Sequence, residues 1–260
     1  MALVEKQQLD NGVIKINLND PENLNAMSDA MANEFSLLIK NLKDEEASLR
    51  MIILSGSGRA FSAGGDLSML EAKTKINAEE NRALMMKFYQ SFLGILQIKV
   101  PLVAAINGHA IGAGLCLASA CDIRICSDKA KLGFTFVKLG LHPGMGATYF
   151  LPRILGDAAA RELLFSGRII DAAEALKIGL VSKVVSSEQL DLECANFAKE
   201  LLTSGPQAVS MLVDSLRNFS AGNLQEALER EASCQAFSYA SQEFKEGVRA
   251  AIEKRKPIFS

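Results

Sequence analysis

Two glycine-rich stretches, each directly behind an apolar run, constrain this chain more than anything else in it. Met51-Ile52-Ile53-Leu54 leads into Phe61-Ser62-Ala63-Gly64-Gly65-Asp66-Leu67. Pro101-Leu102-Val103-Ala104-Ala105-Ile106 leads into Asn107-Gly108-His109-Ala110-Ile111-Gly112-Ala113-Gly114. Glycine permits positive φ and lets a ligand approach the main chain without meeting a Cβ. One such stretch would be an ordinary strand-to-helix turn. Two can aim two backbone N–H groups at a single oxygen, which is how an oxyanion hole is built.

The rest of the composition narrows the setting. At 260 residues the chain can bury a large core as one domain with an appendage. Apolar residues make up 49% and charged residues 22%, the balance of a globular protein. A net charge of -2 gives no overall attraction for nucleic acid or anionic membrane, so neither is expected as a partner. No apolar run reaches the ~18 residues a bilayer span needs. Met1-Ala2-Leu3-Val4-Glu5-Lys6 lacks the pattern of a signal peptide, and a cytoplasmic location is the expectation. The cysteines (Cys116, Cys121, Cys126, Cys194, Cys234) and the two histidines match no metal-ligand spacing. They read as reduced thiols, with Cys116, Cys121 and Cys126 acting as small core residues, and no metal is expected.

Along the chain, Asn11-Gly12 predicts a hairpin turn before a strand carrying Val13, Ile14, Ile16 and Leu18. Ser28 or Asp29 can cap a helix whose one face holds Met31, Phe35, Leu38, Ile39 and Leu42. A long helix is expected over roughly 79–98 and a short one around 113–120. Ile123, Ile125 and the 131–134 region read as short strands, and beyond about residue 155 the pattern turns mainly helical. Asp171-Ala172-Ala173-Glu174 reads as a capping box closed by Gly179, and Pro206 suits a first helical turn. Strand–loop–helix units followed by helices predict an α/β fold without a sequence repeat.

The two loops in this order, followed by Pro143-Gly144-Met145-Gly146-Ala147-Thr148 and the ending Glu243-Phe244-Lys245-Glu246-Gly247-Val248-Arg249-Ala250 with Lys254-Arg255-Lys256-Pro257, resemble the crotonase (enoyl-CoA hydratase/isomerase) superfamily. The resemblance runs over almost the entire chain. It implies an α/β, crotonase-type ββα spiral core over residues 1–200 and a C-terminal helical trimerisation region over 201–260. It also implies an acyl-CoA substrate, no cofactor beyond the coenzyme A carried by that substrate, and a homotrimer or dimer of trimers. By position, Gly65 and Ala113 match the two oxyanion donors. Ala63, Asp66, Leu67 and Ser68 match the lining of the acyl-CoA site, and Leu24 and Ala26 match a stretch that contacts coenzyme A.

The family pattern also breaks here. The resemblance places the usual hydratase glutamates at Cys116 and Phe136, and the acid of many isomerases at Gly144. A cysteine thiol, with a reference pKa near ~8.5, does not replace a carboxylate that activates water. Asp66 can handle a proton or serve structurally. His142 sits just before Pro143 and is the candidate acid, against the alternative of a hydrogen-bonded loop histidine. His109 is assigned to packing or loop support, and Tyr149 to core packing, against the alternative of a proton donor. Leu70, Met85, Phe88 and Phe92 shape an acyl tunnel or simply fill core. Three readings stay open: a hydratase/isomerase-type acyl-CoA enzyme with an unusual acid/base, a decarboxylase of a carboxyacyl thioester, or a non-catalytic acyl-CoA-binding subunit. The basic residues Lys245, Arg249, Lys254, Arg255 and Lys256 read as a solvated helix face rather than an RNA site.

Overall fold

The chain opens on the hairpin written into Asn11-Gly12, where both residues take positive φ between β1 (Val4–Gln8) and β2 (Val13–Leu18). The computed structural model describes residues 2–218 and 223–259; residues 1, 219–222 and 260, which belong to the two expected regions, lie outside them. Ser28, not Asp29, caps α1 (Asp29–Asp44) by accepting from the Met31 N–H. Then come β3 (Met51–Gly56), β4 (Ala60–Ser62), α2 (Leu67–Lys73) and α3 (Ala78–Leu93). The expected 79–98 helix thus stops at Leu93, and Gly94–Gln97 tightens into a 3-10 turn. Next are β5 (Leu102–Ile106), β6 (His109–Ile111), α4 (Ala113–Ala120), β7 (Ile123–Ser127) and β8 (Lys131–Gly133). The remainder holds α5 (Ala147–Leu155), α6 (Asp157–Ser166), β9 (Ile169–Asp171), α7 (Ala172–Lys177) and β10 (Lys183–Val185). It closes with α8 (Leu190–Leu201), α9 (Pro206–Asn218), α10 (Leu224–Ala240) and α11 (Gln242–Ile252).

Two sheets organise these pieces. The larger runs β1-β2-β3-β5-β7-β10 and the smaller β4-β6-β8-β9. From β3 onward the chain alternates between them: β3 then β4, β5 then β6, β7 then β8, each pair laid parallel on the one before. The repeat invisible in the sequence is therefore a repeat of geometry, a spiral of strand pairs. Its second strands are three residues long, too short for an alternation signal; β6 lies inside the second glycine-rich stretch and β4 runs into the first.

Strands β3 and β5 are buried throughout, as parallel strands covered on both faces must be. Ile52, Leu54, Leu102, Ala104 and Ile106 face the main core with Phe35, Phe61 and Phe92. Met51, Ile53, Val103 and Ala105 face the other way onto Leu190, Cys194 and Ala198 of α8. At α7, Asp171 accepts from the Glu174 N–H. The Glu174 carboxylate instead pairs with Arg168, so the capping box is only half formed.

Candidate active site

The two glycine loops meet where they were expected to. Gly64 holds φ +93, and a Cβ there would lie 2.7 Å from the Ile111 carbonyl oxygen and 3.3 Å from the Ala113 nitrogen. Only glycine allows that approach. Asn107, the first residue of the second loop, ties it to the first. Its Oδ1 accepts from the Gly56 N–H at 3.1 Å and its Nδ2 donates to the Gly58 and Ala60 carbonyls at 3.0 and 3.2 Å. Asn25, fully buried, donates to the Ser57 and Ala60 carbonyls from the other side.

Between these anchors the main chain turns two N–H groups outward. The Met27 N–H donates to the Gly64 carbonyl at 2.7 Å and the Asp66 N–H to the Met27 carbonyl at 3.3 Å. That pairing skips Gly65, whose N–H points off the ladder. Gly112, at φ +53, donates its N–H to the Gly133 carbonyl at 2.8 Å, and α4 starts on the next residue. Ala113 is thus the first helical position, one of those whose N–H has no intrahelical acceptor. Among the described residues neither N–H donates to a protein acceptor. Both residues line one 610 Å³ cavity enclosed by the loops, α2, α3 and the 135–145 segment.

The wall of that cavity is mostly apolar: Leu67, Met69, Leu70, Met85, Phe88, Phe136, Leu139, Leu141 and Met145. Of the expected tunnel residues, Leu70, Met85 and Phe88 are present. Phe92 is not; its ring packs 5.2 Å from that of Phe35 in the core.

The expected site residues separate into two groups. Ala63, Gly65, Leu67, Ala113 and His142 all line the cavity, whereas Leu24, Ala26, Asp66 and Ser68 do not. Leu24 and Ala26 belong to the turn that buttresses the first loop, where the Ala63 N–H donates to the Leu24 carbonyl at 2.9 Å. The Asp66 carboxylate caps α2, accepting from the Met69 N–H at 2.8 Å and from the Ser68 hydroxyl. Those two bonds, the Ser68 hydroxyl first, hold it below the usual carboxylate range. His142 is exposed, and its Nδ1 lies 2.8 Å from the Pro143 carbonyl oxygen. His109 is exposed in β6, and Tyr149 is 46% exposed with its ring under the Arg153 guanidinium. Tyr149 does not pack into the core as expected, because it lies on the outer face of α5.

Cys116, one turn beyond Ala113, is fully buried, and burial pushes its thiol up. Phe136 is half-buried in the cavity wall, and neither residue supplies a carboxylate. The sequence reading missed Tyr89. This half-buried tyrosine lines the cavity from α3, and burial, with Cys116 next, raises its hydroxyl above the usual tyrosine range. Helical spacing from Met85 was the available signal, four residues back on the same face. Among the described residues no group of His, Cys, Asp and Glu is arranged to hold a metal ion, and no helix is long and apolar enough to cross a membrane.

Comparison with known proteins agrees along the whole chain. The family model described as Enoyl-CoA hydratase/isomerase matches residues 8–260. Crotonyl-CoA hydratase of Syntrophomonas wolfei is 35% identical over 243 residues, which cover 93% of this chain and 92% of that protein. The short-chain-enoyl-CoA hydratase of Clostridium acetobutylicum is 31% identical over 244 residues, 94% of this chain and 92% of its own length. Among solved structures, an enoyl-CoA hydratase from Bacillus anthracis superposes with a TM-score of 0.92 at 33% identity, covering 99% of this chain and 98% of its own.

Proposed function

Because the chain belongs to the enoyl-CoA hydratase/isomerase (crotonase) family, whose members act on acyl-CoA, we propose that it holds an acyl-CoA in the cavity between α2 and α3 and polarises the thioester carbonyl with the Gly65 and Ala113 N–H groups. The observation that carries this is a single one: two outward N–H groups without protein acceptors, on one apolar cavity. A carbonyl oxygen placed on both donors takes up negative charge as an enolate forms, with little reorganisation around it. Removing one such donor in other enzymes costs about 2.7–4 kcal/mol. Ala63 and Leu67 flank the acyl group, and the turn carrying Leu24 and Ala26 sits behind the first loop on the coenzyme A side. Coenzyme A arrives as part of the substrate. The C-terminal helices assemble the chain into a trimer or a dimer of trimers.

Hydration or double-bond shift is the leading reaction class. Decarboxylation of a carboxyacyl thioester is the second, and one feature favours it. Glu71, exposed on the last turn of α2, is the sole carboxylate-bearing residue among those lining the cavity. Hydration asks for a base that takes a proton from water. Loss of CO₂ instead leaves its electron pair directly on the enolate, which then asks only for an acid.

The test is product analysis by mass spectrometry on crotonyl-CoA, a 3-enoyl-CoA, methylmalonyl-CoA and methylglutaconyl-CoA, comparing wild type with Gly65→Pro. Proline removes the N–H, and circular dichroism checks that the variant is folded. Turnover that disappears in folded Gly65→Pro names the reaction and supports the site. Binding of these thioesters with turnover of none replaces both readings with the non-catalytic one.

A further inference from the structure

Tyr89 puts a proton-bearing side chain into the wall of the cavity that both oxyanion donors line. It sits on α3 with Met85 and Phe88, all three lining the cavity. Its hydroxyl lies against Gly144, so closely that a methyl group built on Gly144 would overlap it. Its electrostatic neighbour is Cys116, three residues after Ala113 on α4 and therefore on the same helical face one turn away. Among the described residues this hydroxyl makes no hydrogen bond to another protein group. It is a donor that no protein group occupies, in the wall of the cavity that would hold the thioester.

The other candidates are spoken for or distant. His142 is exposed, with Nδ1 against the Pro143 carbonyl. The Asp66 carboxylate caps α2. Glu71 and Lys73 line the cavity from the last turn of α2, roughly 6–9 Å along the helix from its first residue, Leu67, at 1.5 Å per residue. The Cys116 thiol is sealed in the core.

We propose that Tyr89 is the catalytic proton donor of this protein, delivering its hydroxyl proton to the acyl chain of the enolate held on Gly65 and Ala113. The inference rests on the oxyanion reading of those two N–H groups. In the step, the enolate electron pair forms the new Cα–H bond and the Tyr89 O–H bond breaks, leaving its electrons on the phenolate. The phenolate then takes a proton from water. In hydration that proton replaces the one released by the attacking water; in decarboxylation one proton is consumed for each CO₂ lost. With its hydroxyl raised by burial, Tyr89 stays protonated at neutral pH and works as the acid.

The experiment compares wild type, Tyr89→Phe and Gly144→Ala on whichever panel substrate the wild type turns over. Binding of a 3-oxoacyl-CoA is followed in parallel by the ultraviolet absorbance of its enolate, which reads the oxyanion donors alone. Loss of a positioned acid should lower kcat at least about 100-fold in Tyr89→Phe, with KM and the enolate band kept. Gly144→Ala, which displaces the hydroxyl without removing it, should lower kcat in the same direction. A fluorotyrosine of lower pKa at position 89 should move the alkaline limb of the kcat profile toward neutrality, a response that a packing role does not produce. Retention of kcat within about threefold in Tyr89→Phe, against the 100-fold or more expected of an acid, overturns the role of Tyr89 while leaving the oxyanion reading intact. An alkaline limb unmoved by fluorotyrosine overturns it too. Absence of the enolate band in the wild type, or no turnover of any panel substrate, removes the reading beneath it and the proposal with it.

Discussion

At the scale of single residues, Asp66 shows how position decides chemistry. It follows Gly65 directly, where a proton-handling carboxylate is plausible from sequence, yet its oxygens face the start of α2. Asp66→Ala should therefore lower stability by about 1 kcal/mol, the usual cost of losing an N-cap, measurable as a drop in Tm. The pH dependence follows from the same bonds. Because the folded carboxyl is held below its ordinary value, its contribution is complete above the unfolded pKa near ~3.9 and fades as pH falls through the lower folded value. Asp66→Asn should accordingly flatten the loss of Tm on acidification, and melts recorded from neutral to strongly acidic pH will show whether it does. Tyr89 is the opposite case. Its neighbours Phe88 and Phe92 are buried residues on the same helix, and the four-residue spacing from Met85 is a local signal that fits a packed tyrosine as well as a cavity-facing one. Its environment comes from Cys116 and Gly144, which are distant in sequence.

At the scale of elements, local rules carried well where the signal was local. The Asn11-Gly12 hairpin, the Ser28 cap and the start of α4 at Ala113 follow from residue types that demand a particular backbone. The 131–134 region was readable as a strand and forms β8, whereas the short strands β4 and β6 did not declare themselves, since they exist only because the spiral brings a neighbour to pair with. The break between α10 and α11 at Ser241 was equally hidden in a continuous helical pattern; there the Ser241 hydroxyl accepts from the Phe244 N–H and starts a new helix. The contact between α4 and β4 is what sets the distance between the two loops. A Cβ on Gly114 would lie 2.6 Å from the Ser62 Cβ and 2.7 Å from the Ser62 carbonyl oxygen. Gly114→Ala should push α4 off the smaller sheet, costing about 1–3 kcal/mol as other overpacked sites do, seen as a lower denaturant midpoint. Turnover should fall alongside, because Ala113 moves with the helix.

For the whole molecule, the decisive question is how the C-terminal helices hold to the spiral. Arg217 of α9 is the main clasp. Its guanidinium donates to the Leu96, Ile98 and Val100 carbonyls and pairs with Asp122, whose Oδ2 also accepts from the Leu102 N–H at the start of β5. With only 11% of the Arg217 side chain exposed but Asp122 open to solvent, Arg217→Ala should cost about 1–3 kcal/mol, the scale of leaving partly buried carbonyls without their donor. Limited proteolysis should then cut first within the C-terminal helices. Beyond that clasp, Phe237, Tyr239, Ile252 and Ile258 are each more than half exposed, and Phe237 and Ile258 line an open cleft of 920 Å³. If these surfaces join chains into a trimer, Tm should rise with protein concentration, and sedimentation should give three or six times the chain mass. The pair of outward N–H groups has a different kind of consequence, for how the protein can be studied. Every amino acid except proline carries an N–H, so an alanine scan across Gly65 and Ala113 would leave both groups in place. Conventional mutagenesis is blind to them, and only proline or a backbone ester can make them visible.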